Sequence, residues 1–419
     1  MTTPTFSPVT ESKPEVKRAF HQRLQPTGPL FGHNPISFRI ENTANLFTDL
    51  SETYIDLSIQ VLRKTGDAIA GEDDTATAVA YTNNFLDALF SRIDIKINGT
   101  PVSSELLHPF LAYLRYQLSF NTNTARTLLR RGNLLSEESS EVTLVVAGRR
   151  RQFAGSKPVH LNGNLSTDFS CSAVGILPPH CRVDITLFRS SDAFALISHD
   201  VAPDYTVRIN DISLYCRKVE LQDDMYKHYQ QQISRNPCYL PFVQMTAMNY
   251  EIPAGMRTYT IRNVASGRLP MRALTTFLRP NALNDRFIVN PMVFRAADIK
   301  LAHFDYLVDG VSVRGMPYTP NFGDDDYLDC YLGLFEALGV KRNQQNPIAI
   351  TYTEYKDTFS LFARNLHDCL PNRVGQSCNL DVELRFDEPL PASCVVLVVL
   401  ETKSQCAIDV HGQCSVTTL

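Results

Sequence analysis

The residues that could do chemistry are thinly spread along this chain. The ten histidines lack the paired spacing of a metal site, and His180, His199, His303 and His411 read as lone surface or core histidines rather than ligands. Asp324-Asp325-Asp326 offers carboxylates to a cation, yet it falls where a helix is expected to begin, where carboxylates serve exposed N–H groups and the helix dipole. Arg149-Arg150-Arg151 is the one dense basic run; it could touch nucleic-acid phosphates non-specifically, or be the solvated tip of a hairpin. Ten cysteines include no Cys-x-x-Cys pair, which argues against zinc knuckles and favours thiols packed as small apolar groups. Disulfides formed after release from a cell are the alternative. Asn98-Gly99-Thr100 and Asn164-Leu165-Ser166 match the glycosylation pattern, although turn chemistry accounts for the first. There is no Gly-x-Gly-x-x-Gly, no phosphate loop, no His-Glu-x-x-His and no Gly-x-Ser-x-Gly. No enzyme is expected, and no cofactor or metal.

The informative stretch is structural. Ile93, Ile95 and Ile97 alternate with Asp94, Lys96 and Asn98, the period of a half-buried strand. Asn98-Gly99 then supplies the positive φ angles of a tight hairpin. Beyond it Leu107, Leu111, Leu114 and Leu118 form one stripe of a helix. The pattern returns at a shift of 211 residues, with Asp309-Gly310 in place of Asn98-Gly99 and a helical stripe at Leu328, Tyr331, Phe335 and Leu338. Arg182-Val183-Asp184-Ile185-Thr186-Leu187 is echoed by Leu380-Asp381-Val382-Glu383-Leu384 at a shift of 197. Ordered matches half a chain apart predict two copies of one β-rich unit.

Length agrees. A chain of 419 residues suits two domains of roughly 200 each. Hydrophobic residues make up 44% and charged residues 20%, a globular balance. With 40 basic and 44 acidic residues the net charge of −4 gives no global basic field for nucleic acid. No apolar run approaches the roughly 20 residues that cross a bilayer, and Met-Thr-Thr-Pro-Thr-Phe-Ser-Pro lacks the features of a signal peptide. A reducing compartment is expected.

Residues 1–30, rich in Pro and Thr, read as a flexible arm. An N-terminal sandwich follows over 31–222, then a polar linker over 223–249, a second sandwich over 250–402 and a tail over 403–419. Strands are expected at 36–40, 54–61, 142–147, 159–165, 181–188, 207–221, 258–264, 269–278, 299–308, 348–352, 359–363, 380–386 and 394–400. Polar insertions fall at 64–77 and 121–141. Short strands, frequent turns and one helix per half predict an all-β chain of two tandem eight-stranded antiparallel jelly-roll sandwiches, each with a short helical insertion.

Several stretches carry a resemblance to a known family. Arg92 to Ser104, Tyr113-Leu114-Arg115, and Val183 to Arg189 with Asp192 and Phe194 are similar to the double jelly-roll major capsid proteins of Maverick/Polinton elements and adintoviruses. So are Ile252-Pro253-Ala254-Gly255, Asn290-Pro291 with Phe294, and Val308-Asp309-Gly310. The resemblance spans about residues 30–402. It implies a homotrimer that forms a pseudo-hexagonal capsomer of an icosahedral shell, with neighbouring capsomers, penton and minor capsid proteins as partners. It also implies a virion protein made in the host cytoplasm or nucleus. The competing readings are a tandem jelly-roll module that binds carbohydrate or a receptor, and a domesticated host copy of a capsid gene. The absence of Trp speaks against an aromatic sugar platform.

Overall fold

A computed structural model describes residues 16–30, 32–41, 45–69, 77–120, 122–135, 138–173, 175–279, 281–283, 287–340, 348 and 350–419. Setting aside the three-residue strands Val79–Tyr81 and Leu196–Ser198, which pair with each other, its first eight strands are β1 (Val16–Leu24), β2 (Ile36–Ile40), β3 (Leu46–Arg63), β4 (Phe90–Ile97), β5 (Thr100–Leu106), β6 (Val159–Asn164), β7 (Val183–Arg189) and β8 (Tyr205–Leu221). The next eight are β9 (Cys238–Ile252), β10 (Thr258–Arg268), β11 (Arg272–Leu278), β12 (Leu301–Val308), β13 (Val311–Ser312), β14 (Leu361–Asn365), β15 (Ser377–Phe386) and β16 (Cys394–Ile408).

The first eight form two four-stranded sheets, in the orders β1-β8-β3-β6 and β2-β7-β4-β5. The second eight repeat both orders with every number raised by eight: β9-β16-β11-β14 and β10-β15-β12-β13. All these pairings are antiparallel. The fold is a double jelly roll. A last strand, β17 (Cys414–Thr418), pairs with the end of β16.

The repeat reaches individual hydrogen bonds. Asn98 and Gly99 both take positive φ, 50° and 87°, and so do Asp309 and Gly310, 50° and 80°. That geometry matches the right-handed twist of the flanking strands. Asn98 Oδ1 accepts from the Arg182 amide at 2.7 Å, and Asp309 Oδ1 accepts from the Asn379 amide at 2.9 Å. The backbone amides of Asn98 and Asp309 donate back to the carbonyls of Arg182 and Asn379. Each turn is thereby tied to the strand beside it.

Five helices matter below: α1 (His108–Ser119), α2 (Val142–Arg149), α3 (Asp223–Ile233), α4 (Leu328–Ala337) and α5 (Tyr352–Asp357). α1 is more buried than its leucine stripe implies, with ten of its residues out of solvent. The reason is position. Phe110, Leu111, Tyr113 and Leu114 sit in the hydrophobic core of the second sandwich, so this N-terminal helix is wedged between two sandwiches. In return Leu240, Phe242, Cys406 and Ile408 join the core of the first.

Several expectations need correction. Residues 142–147 form a helix, α2, because a short apolar run has no period long enough to separate helix from strand; Val145 and Val146 pack on Ala80 and Ile197. Residues 348–352 do not form a strand where they are described. Thr351 instead caps α5, exchanging hydrogen bonds with Glu354. The stretch expected as a linker holds α3 and most of β9, and the expected tail is the end of β16 plus β17. Within the arm, residues 1–15 lie outside the described residues, while Val16–Leu24 adds β1 to the edge of β8 through backbone pairing. Lys17 and Arg18 meet Glu220 there. In α4 the buried positions are Cys330, Gly333, Leu334 and Ala337, and Leu328 is exposed. Small residues let this helix press on Tyr318: a Cβ on Gly333 would lie 2.0 Å from its hydroxyl oxygen.

Candidate functional site

The site that the fold builds is the joint between the sandwiches. Glu105 is the last residue but one of β5, and Leu107, with φ of 58°, turns the chain sharply into α1. That turn buries His108 and Glu105 side by side, each side chain fully out of solvent. Glu105 Oε2 meets His108 Nδ1 at 2.7 Å, and the other ring nitrogen meets Asp87 Oδ1 at 3.1 Å. Two turns further on, Arg115 donates to Glu105 Oε1 at 2.7 Å and to the Ser166 carbonyl.

Asp168 closes the network. It opens the short helix Asp168–Ser172, which Thr167 and Ser170 cap reciprocally. Its backbone amide donates to Glu105 Oε1 at 2.5 Å. Its carboxylate accepts from Ser103 Oγ, from the Phe169 amide at 2.6 Å and from the Met245 amide of β9 at 3.4 Å. Ser172 Oγ bonds the Val243 amide at 2.9 Å and its carbonyl at 3.2 Å. Polar groups of the first sandwich therefore grip the backbone of the second.

The charges are matched. Burial opposes a charge on His108, but its carboxylate partners Asp87 and Glu105 outweigh that and raise the imidazole to about 9. It is a cation at neutral pH. Glu105 is also penalised by burial, yet Arg115 and His108 hold it below the ordinary range. Asp168 is pushed up to about 7, first by burial and then by the Glu105 charge. Two cations thus face two carboxylates, and the third acid titrates near neutrality.

Among the described residues no three His, Cys, Asp or Glu side chains are placed to hold a metal ion. His180, His199 and His411 are exposed, and His303 is half-buried. Asp324-Asp325-Asp326 does not cap α4 as expected, since no side chain caps that helix. Asp324 accepts from Asn321 and Asp325 pairs with Lys356 at 2.5 Å.

The arginine run is not at a hairpin tip. Arg149 ends α2 and points inward: it pairs with buried Glu138 at 2.7 Å, donates to the Tyr81 carbonyl at 3.1 Å and lies over the Tyr81 ring. Arg150 is half-buried and Arg151 exposed. An open depression of about 460 Å³ lies beside them, lined in part by Arg126, Arg130, Glu138 and Leu144. Sequence reasoning missed the Glu105–His108–Asp168 network. Its only trace was a charged pair between a hairpin and a helix.

Comparison with known proteins agrees with the architecture. No protein-family model matches the chain. A relative from Caenorhabditis elegans, uncharacterized protein F54H12.2, is 18% identical over 377 residues, covering 87% of this chain and 88% of its own. A chain of the Sputnik virophage structure superposes with a TM-score of 0.61 at 10% identity, covering 100% of this chain and 91% of that one. The Faustovirus major capsid protein gives 0.59 at 10% identity over 97% and 92%, and the mavirus major capsid protein 0.55 at 11% over 100% and 95%. No helix among the described residues is long and apolar enough to cross a membrane. From end to end, the chain has the double jelly-roll fold of viral major capsid proteins.

Proposed function

We propose that this protein is a structural capsid subunit that trimerises, so that six sandwiches form a pseudo-hexagonal capsomer for an icosahedral shell. The observation that carries this reading is the pair of topologically identical sandwiches locked side by side by a shared core. A rigid double unit presents two equivalent flanks, and three such units closed by rotation approximate six-fold symmetry. Full-length likeness to a chain of the Sputnik virophage structure and to the mavirus and Faustovirus major capsid proteins supports it. Penton and minor capsid proteins would complete such a shell, and Arg150 and Arg151 could meet packaged nucleic acid non-specifically.

The nematode relative favours a gene carried in an animal genome, as the Maverick/Polinton resemblance implies. Whether that gene still makes particles or serves the host, the capsomer is the unit to look for. Light scattering and negative-stain imaging of purified protein test it: three chains per particle with a hexagonal outline are expected, and monomers at high concentration would refute the reading.

A further inference from the structure

The last hairpin, β16–β17, straps the second sandwich to the first. Its turn carries Gly412, whose carbonyl accepts from Asn98 Nδ2 at 2.6 Å, in the marker turn of the first sandwich. Asp409 Oδ1 braces the turn from within, accepting from the amides of His411 and Gln413 at 2.9 and 2.7 Å.

Cysteines collect under this strap. Cys238 of β9 pairs with Ile408, and Ile408 pairs with Cys414, so one rung crosses three strands. Cys406 lies two residues before Ile408 and so faces the same side. Cys181, just ahead of β7, joins the same apolar surface from the first sandwich. Cys406 and Cys414 come closest, with sulfurs 3.1 Å apart. A disulfide needs about 2.05 Å, so a change of about an ångström would close the bond. Cys406 is fully buried while Cys414 is half-exposed and open to small molecules.

We propose that Cys406 and Cys414 form a reversible intramolecular disulfide that fastens the C-terminal strap across the joint in an oxidising environment. The reaction is thiol–disulfide exchange with a small-molecule disulfide. Cys414, whose thiol the hydrogen bond from Cys406 holds below its usual range, attacks one sulfur of that disulfide and expels a thiolate. Cys406 passes its proton to the departing thiolate, attacks the Cys414 sulfur and releases the second half. Two protein thiols are oxidised, and one external disulfide is reduced to two thiols.

Lys403 is the last lysine or arginine, so trypsin releases residues 404–419 as one peptide that holds both cysteines and no others. Full-length protein is equilibrated with glutathione disulfide or with dithiothreitol, alkylated and digested. The oxidised sample should yield the 404–419 peptide unalkylated and lighter by two hydrogens, while the other eight cysteines stay alkylated. Amide exchange over Cys414–Thr418 should slow roughly tenfold or more on oxidation, because the closed loop restricts local opening. Cys414→Ser should abolish both effects, and Cys406→Ala should accumulate glutathione on Cys414. Ten alkylated cysteines after oxidation, a bond through Cys181 or Cys238, or zinc released on thiol titration would each overturn the proposal.

Discussion

His108→Gln is the most exacting test of the buried joint. The imidazolium neutralises Glu105 and Asp87 from a position without solvent, so removing it leaves Glu105 with Arg115 as its one ion-pair partner and Asp87 with none among the described ion pairs. Breaking one partner out of such a network costs about 3–5 kcal/mol. The shared cores make the two sandwiches one melting unit. At about 2.1 cal/mol/K per residue, a chain of 419 residues then has an unfolding entropy near 0.9 kcal/mol/K. The melting temperature should fall by about 3–6 °C at pH 6.5.

The pH dependence is the sharper signature. His108 titrates at 6.5 when unfolded and at about 9 when folded. Its stabilisation is therefore complete below pH 6.5 and drains away as the pH climbs through 9. At 1.36 kcal/mol per pH unit that window is worth about 3 kcal/mol, or about 4 °C. Asp168 has the same sign in a lower window: folded protein keeps its proton to about 7 against 3.8 unfolded, so stability falls from about pH 4 to 7. Calorimetry between pH 6.5 and 10 should show the wild-type protein losing about 3–4 °C more than His108→Gln does, the variant keeping the small slope that Asp168 supplies near pH 7. A variant that retains the wild-type slope would refute the assignment of that proton to His108.

Gly99→Val and Gly310→Val should each cost about 1–2 kcal/mol or more by forcing a branched side chain to positive φ, seen as a lower urea midpoint. The turns lie in different sandwiches and share no hydrogen-bond partner, so the two losses should add. Arg149→Met should destabilise by about 3 kcal/mol, because the buried Glu138 carboxylate loses its charge partner and keeps the Asn290 amide, whereas Arg150→Ala should cost clearly less; equal effects would undo the inward placement of Arg149. Gly333→Ala should cost about 1–3 kcal/mol by overpacking against Tyr318, and Tyr318→Phe should recover part of that in the double variant.

Much of the fold was legible because turn chemistry is local. Asn98-Gly99 and Asp309-Gly310 announce both hairpins from two letters each, and the 211-residue shift between them is the duplication itself. The shift of 197 between Arg182 and Asn379 was equally readable, and those are the residues that the two turns grasp. What stayed hidden depended on neighbours remote in sequence. Val142 to Ala147 reads as a strand until Ala80 and Ile197 are known to receive Val145 and Val146, with Val142 packed one helical turn away from them. Lys17 to Arg23 has no apolar alternation, because β1 is held by the backbone edge of β8. The Glu105–His108–Asp168 network joins residues 63 apart, and no local pattern marks it.

The two copies differ where they must cooperate. In the first, α1 begins immediately after the hairpin and is driven into the neighbouring core. In the second, residues 313–327 intervene, and α4 lies on its own sandwich against β14 and Tyr318. A joint between two copies of one unit needs a wedge from only one of them. The buried charges belong to the copy that supplies it. Such networks add little net stability compared with apolar packing of equal volume, but a misaligned partner leaves their charges unpaired. Apolar contacts at this joint would tolerate sliding of one sandwich along the other. The Asp168 carboxylate and Ser172 hydroxyl, bonded to the amides of Met245 and Val243, permit one register. A fixed register is what a subunit needs if its two flanks are to meet identical neighbours.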